Sequence, residues 1–398
     1  MNSTDRSGDV ARRSVYLDHA ATSRPKPPAV AAAMDRYMRE VCASPGRGGY
    51  ALSLDAGRIV FRARAALKQL FNAASEESVV FTLNVTHALN IAMHGLIRPG
   101  DRVVTTSVEH NSVIRPLRQL QADHGLELTI VQCDRHGMLD PSDMARAVQP
   151  GTRAVVMTHA SNVLGSILPI AEVGRIAHEA GAFFIVDTAQ TAGVLDIDFN
   201  EVGADVLAFT GHKSLMGPPG TGGFVVGAEA AKQMRPLFSG GTGSRSHLET
   251  QPEELPDRFE AGTMNTVGIA GLAAGVEFIA GVGMERVRRH ELELAATFIE
   301  GAQAIDGVEV YGPGAREARV PTVSVGLAGR DLAQMAYALD AEHGVMVRPG
   351  LHCSPLAHRT AGTFPEGTLR FSFGCFNTRE EVDYALSALA TVAMSAGE

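Results

Sequence analysis

"FTGHKSLMGPPG", residues 209–220, sets a histidine, a lysine and two adjacent prolines directly behind the apolar run "DVLAFT" (205–210). The run reads as a strand and the Pro-Pro pair as a rigid turn, which puts Lys213 just past a strand's carboxyl end. The glycines of "GPPGTGG" (217–223) do not make a phosphate loop, because no Lys-Ser or Lys-Thr follows them and the prolines oppose a helix start. In a parallel sheet the carboxyl ends of the strands open onto the ligand cleft. A lysine amine there can form a Schiff base with a carbonyl cofactor.

Around that stretch, from about residue 79 to 227, short β-rich runs alternate with helical segments: "SVVFTL", "DRVVTTSV", "LELTIVQC", "TRAVVMTH" and "FFIVDTA" precede "DVLAFT". This alternation predicts a mostly parallel sheet with crossover helices, an α/β architecture. After "LPDRFEAGTMN" two long helices are expected at 266–283 and 284–303, then "TVSVGLAG", a helix, "GVMVRPG", "TLRFSFG" and a terminal helix. We therefore expect a flexible tail over 1–14, a large domain over 15–265 whose N-terminal segment packs on the small domain, and a small α+β domain over 266–398.

With 398 residues, 45% of them hydrophobic, the chain is long enough for a substantial core and a two-domain organisation. A formal net charge of -9 gives no basic field, so neither nucleic acid nor an anionic membrane surface is an expected partner. The apolar runs are too short for a membrane span and the polar start lacks a secretory core, which predicts a cytoplasmic protein. Cys42, Cys133, Cys353 and Cys375 form no CxxC pair, so neither a zinc site nor a disulfide framework is expected, and no metal is assigned.

In "FFIVDTAQ" (183–190), Asp187 closes a wholly apolar run, where a carboxylate needs a cationic partner to offset desolvation; a protonated pyridine nitrogen would supply one. An aspartate strand end followed 26 residues later by a lysine strand end, with "EHNS" and "HASNVLG" upstream, resembles the class V branch of fold type I pyridoxal phosphate enzymes. The resemblance runs from "YLDHAATS" (16–23) to "EEVDYALSAL" (380–389), nearly the whole chain. It implies a mostly parallel seven-stranded sheet in the large domain and pyridoxal 5'-phosphate bound to Lys213. Asp187 would keep the ring protonated, His110 would stack on it, and Asn162 and Gln190 would hydrogen-bond its phenolic oxygen.

For the phosphate, "TLNVTHALN" (82–90) reads as a strand, a turn and a helix whose first amides suit an anion. The resemblance implies Val85 and Thr86 there, joined by Thr210 and His212 and by Thr263 from a second subunit, hence a homodimer. Asn84, Val85 and His87 replace the usual glycine, threonine and glutamate of that loop.

Cofactor identity alone leaves transamination, lyase, epimerase and desulfurase chemistry open. In "VRPGLHCSP" (347–355), Cys353 lies in a Pro- and Gly-marked loop beside His352 and near Arg348, an electropositive setting that favours a thiolate. The segment resembles the "RxGHHC" element of group II, SufS-like cysteine desulfurases and selenocysteine lyases, with Leu351 in place of the first histidine. On that resemblance Cys353 takes sulfur from L-cysteine as a persulfide, alanine leaves, and a sulfur-acceptor protein is a possible partner. In "TLRFSFG" (368–374) the alternation sets Arg370 and Ser372 opposite Leu369, Phe371 and Phe373, so Arg370 can fork onto the substrate carboxylate. Arg348, Arg47 and Ala21 are further substrate-side candidates, and His19 stands where the family has asparagine. Two alternatives stand beside the desulfurase: a selenocysteine or cysteine lyase on the same scaffold, and a non-catalytic binding or assembly subunit, against which intact Lys213, Asp187 and His110 argue.

Overall fold

The computed structural model describes residues 13–46 and 48–395. Among them the strands are β1 (Val15–Tyr16), β2 (Val79–Thr82), β3 (Arg102–Thr106), β4 (Glu127–Val131), β5 (Thr152–Thr158), β6 (Phe183–Asp187), β7 (Val206–Thr210), β8 (Gly222–Val226), β9 (Val308–Tyr311), β10 (Thr322–Leu327), β11 (Val345–Met346), β12 (Arg348–Gly350) and β13 (Thr368–Ser372). The expected seven-stranded sheet is present in the order β2-β8-β7-β6-β5-β3-β4, with β8 antiparallel to both neighbours and the other pairs parallel. Strands β6, β7 and β8 are buried along their whole length, which is why they read as unbroken apolar runs. Their alternate residues feed different cores: Phe184, Val186, Leu207 and Phe209 join one cluster, and Phe183, Ile185, Val206 and Ala208 another.

A four-stranded antiparallel sheet, β12-β13-β10-β9, and the parallel pair β1-β11 are built on a third cluster with Phe298, Leu369, Phe371 and Phe373. Val15 and Leu17 belong to this cluster, so the N-terminal segment packs with the C-terminal part of the chain. The expected boundary at 265/266 is corrected by the packing of helix Thr266–Val282. Its Ile269, Leu272, Ala273 and Val276 are buried in the core of the seven-stranded sheet. Gly275 lets it approach closely, since a Cβ there would lie 2.5 Å from the Leu215 carbonyl oxygen. Texture alone misassigned this helix because an apolar helix carries no mark of which core it enters. It meets helix Met284–Gln303 at an 82° bend, and among the described residues no single helix is long and apolar enough to cross a membrane. The run "GVMVRPG" (344–350) divides into β11 and β12, which pair in different sheets.

Candidate active site

Strands β6 and β7 are parallel neighbours, so Asp187 and the Lys213 turn emerge at the same sheet edge. The turn is fixed by its own backbone: Gly211 N donates to Thr221 O, Gly217 N to Gly211 O and Met216 N to Lys213 O. It is also fastened from the N-terminal segment. Ser23 Oγ donates to the Lys213 carbonyl at 2.7 Å, and Lys26 Nζ donates to the His212 carbonyl at 2.6 Å, joined there by Thr22 Oγ1 at 3.0 Å. Burial pulls the Lys213 ammonium down to about 8 against the attraction of Asp187, which makes its amine available as a nucleophile near neutral pH.

Asp187 is 2% exposed and burial raises its pKa, while Ala189 N (2.9 Å) and Ser112 Oγ (3.4 Å) donate to it. A buried carboxylate with this environment suits a cationic partner. His110 caps helix Asn111–His124, its Nδ1 accepting from Ser112 N at 3.0 Å, and burial followed by Lys213 holds the ring neutral with a pKa of about 4. Gln190 donates to the Ala20 carbonyl at 3.2 Å.

The start of β8 bridges β7 and β2, Gly222 standing opposite both Thr210 and Thr82, and β2 runs on into helix Val85–Leu96. Thr210 is thereby brought toward the N-terminus of that helix, and its Oγ1 is buried with no partner among the described residues. Asn84 is the N-cap, its Oδ1 accepting from His87 N at 2.9 Å, and His87 Nδ1 accepts from Leu83 N at 3.3 Å. This reciprocal capping explains the departures at 84 and 87, and leaves the Val85 and Thr86 amides at the helix's electropositive end. Val85 is buried and Thr86 exposed. Thr263 is exposed and lines a cavity with Thr82, Leu83 and His87, beside the same helix end. His212 is half-buried, and burial lowers its pKa to about 4.

On the sulfur side, Cys353 is exposed and follows His352 into the left-handed region, with φ of 50° and 56°. Two consecutive non-glycine residues there are strained and need outside support. Asn111 N donates to the Cys353 carbonyl (2.7 Å), Asn162 Nδ2 to the His352 carbonyl (2.8 Å), and Ser354 Oγ to Asn162 Oδ1 (2.6 Å). A buried chain continues below: Thr363 Oγ1 donates to His358 Nδ1 (2.7 Å), His358 Nε2 to His352 Nδ1 (3.3 Å), and His352 Nε2 to the Arg348 carbonyl (2.9 Å). That donor order needs neutral rings, and burial holds His358 at about 4 and His352 at about 3. The expected contribution of His352 to an electropositive setting is therefore corrected. Among the described residues, Lys213, Arg348 and Arg370 place positive charge within electrostatic reach of Cys353.

Arg370 is 3% exposed, and its Nη2 donates to Asp18 Oδ1 at 2.8 Å and its Nη1 to the Asn162 carbonyl at 3.1 Å. Arg348 donates to Asp18 Oδ2 from Nε (3.0 Å) and Nη2 (2.8 Å). Ala21 N donates to the Asp18 carbonyl. His19 packs against Gly374, where a Cβ would come within 2.2 Å of its ring, and burial lowers its pKa to about 4. Arg47 lies outside the described residues. Burial pushes the thiols of Cys133 and Cys375 up to about 12, consistent with inert packing. Asp18, Ser112, His358 and Thr363 were missed by sequence reasoning; Asp18 lies in "YLDHAATS" and Ser112 in "EHNS", but Arg348 and Arg370 for the one and Asp187 for the other are remote in the chain.

A family model described as Aminotransferase class-V matches residues 15–385. A protein named "Probable cysteine desulfurase" from Methanothermobacter thermautotrophicus is 36% identical over 388 residues, covering 96% of each chain. A protein named "Cysteine desulfurase" from Haloferax volcanii is 34% identical over 382 residues, 94% of this chain and 88% of its own. Among solved structures, an apo cysteine desulfurase from Thermococcus onnurineus NA1 superposes with a TM-score of 0.90 at 35% identity, covering 96% of this chain and 95% of that one. The cysteine desulfurase CsdA (S-sulfonic acid) from Escherichia coli gives 0.87 at 26% identity with the same coverage.

Proposed function

The chain belongs to the aminotransferase class-V family, and on that premise we propose that it is a cysteine desulfurase that uses pyridoxal 5'-phosphate to convert L-cysteine to L-alanine. The carrying observation is the juxtaposition of Lys213 with Asp187 at one sheet edge, in electrostatic reach of Arg370 and Cys353. Residues present suit the cofactor: Lys213 for its carbonyl, the buried Asp187 for its ring nitrogen, His110 for its face, and Asn162 and Gln190 for its phenolic oxygen. For the phosphate, the unpartnered Thr210 hydroxyl, His212 and the Val85 and Thr86 amides are suited. The chemistry supplied by the bound ring is that of an electron sink.

The chain's own residues do the rest. Arg370 orients the α-carboxylate, Arg348, Arg47 and the Ala21 backbone being further substrate-side candidates. Lys213 moves protons at the substrate carbon, near its own pKa of about 8. Cys353 Sγ attacks the substrate sulfur as a thiolate, so the S–S bond forms as the C–S bond breaks; the carbon keeps the electron pair, is protonated, and leaves as alanine. The exposure of Cys353 supports hand-over of the persulfide sulfur to an acceptor protein. Exposed Met38, Tyr50, Leu52, Leu54 and Phe61 support a homodimer, in which a second copy would bring its Thr263 to the phosphate.

The test incubates the loaded protein and Cys353→Ala with L-cysteine and a reductant and quantifies alanine and sulfide. Equal amounts from the wild type, with both lost in a variant that keeps its cofactor absorbance, support the reading. Pyruvate and ammonia with sulfide, or an unimpaired variant, would replace it with a lyase.

A further inference from the structure

Strands β12 and β13 run antiparallel with Arg348 directly opposite Arg370. Two like charges opposed on a sheet repel, more so when one is buried. A single carboxylate resolves the conflict: Asp18, 8% exposed, accepts from Arg348 through Oδ2 (2.8 and 3.0 Å) and from Arg370 through Oδ1 (2.8 Å). The two pairings are unequal. Arg348 grips Asp18 with Nε and Nη2 together, whereas Arg370 offers it one N–H, and Arg370 Nε is buried with no partner among the described residues. The Nε/Nη2 edge of Arg370, the edge suited to a two-point carboxylate contact, is thus only half used.

We propose that Asp18 is a built-in stand-in for the substrate carboxylate, which exchanges with it on Arg370; this rests on the reading of Arg370 as the carboxylate-binding residue. The anchoring fits an exchange by side-chain rotation. The backbone around Asp18 is fastened on both sides to β13, Ser372 N donating to the Leu17 carbonyl (2.8 Å) and Ala20 N to Ser372 Oγ (2.9 Å). The Arg348 side chain is 50% exposed and can follow the Asp18 carboxylate outward without breaking their pairing, while Arg370, 3% exposed, stays. Charge decides what can enter. Two guanidinium groups and one carboxylate leave a single positive charge, which one α-carboxylate neutralises, so the site takes amino acids with one carboxylate and disfavours a second anion.

The test uses cofactor-loaded protein and the isosteric Asp18→Asn, with acetate as the probe for a free carboxylate. Losing the internal competitor should lower KM for L-cysteine roughly threefold or more, because the competent state is no longer masked. Acetate should compete with cysteine in the variant at concentrations that leave the wild type unaffected, and should raise the variant's Tm selectively. If the variant folds only with acetate present, a free carboxylate is replacing Asp18 and the proposal is supported. A KM that rises or stays unchanged, with no acetate effect on either competition or Tm, overturns it and leaves Asp18 a plain structural clamp. Should the wild type yield no alanine from cysteine, the desulfurase reading fails, while the acetate-dependent Tm still decides the role of Asp18.

Discussion

Lys213 is reactive through its surroundings: burial, against the opposing pull of Asp187, brings its ammonium to about 8. Stripped protein should therefore take up pyridoxal 5'-phosphate faster as pH rises, with a midpoint near 8, because only the free amine attacks a carbonyl. Absorbance-monitored uptake across that range checks this. A flat profile, or uptake of the yellow colour by Lys213→Ala, refutes it. At this scale Lys213, Asp187, His110 and Cys353 were legible because each is a reactive residue type at a strand end or turn. Asp18 was not, since an aspartate ahead of a helix reads as a cap, and its arginines are 330 and 352 residues away.

Among elements, the entry to helix Val85–Leu96 rests on the cap by Asn84. Asn84→Ala should cost about 1 kcal/mol of stability, measured by denaturant unfolding, and weaken cofactor retention with it. The turn bearing Cys353 depends on the buried Thr363–His358–His352 chain. Thr363→Val leaves His358 Nδ1 without its donor and should destabilise by about 1–3 kcal/mol, again read from unfolding. Strand and helix alternation was legible over the seven-stranded sheet because hydrophobic period reports directly on burial there. The division of β11 from β12 was not, because period says nothing about which sheet a strand joins.

For the whole molecule, buried titratable groups shape the response to pH. Burial depresses His19, His110, His212 and His358 to about 4, and His159 and His352 to about 3, from 6.5. Between those values the unfolded chain binds protons that the folded one does not, so stability rises with pH up to about 6.5. Burial raises Glu109 and Glu291 from 4.5 to about 8, so their contribution is full below 4.5 and is lost as pH climbs to 8. The Tm should peak near pH 6.5 and decline toward 8, and Glu291→Gln should flatten that decline. A variant with the wild-type slope would refute the assignment. Gly275→Val, which forces helix Thr266–Val282 off the Lys213 turn, should lower stability by about 1–3 kcal/mol, measured by unfolding. Helix existence here was legible, its destination was not, since close approach at a glycine is a property of the packed pair.

The fastening of residues 15–26 has a consequence for synthesis. This segment is made well before its partners: β1 waits for Val345–Met346 and Ala20 for Ser372, a separation of 352 residues. Contacts so distant in the chain close slowly and late. The seven-stranded sheet can be assembled from sequence already made while β1 is still unpartnered, so the binding cleft is finished only once β13 has been made. A nascent chain truncated before β13 should thus carry Lys213 on a formed sheet and yet have no completed site around it.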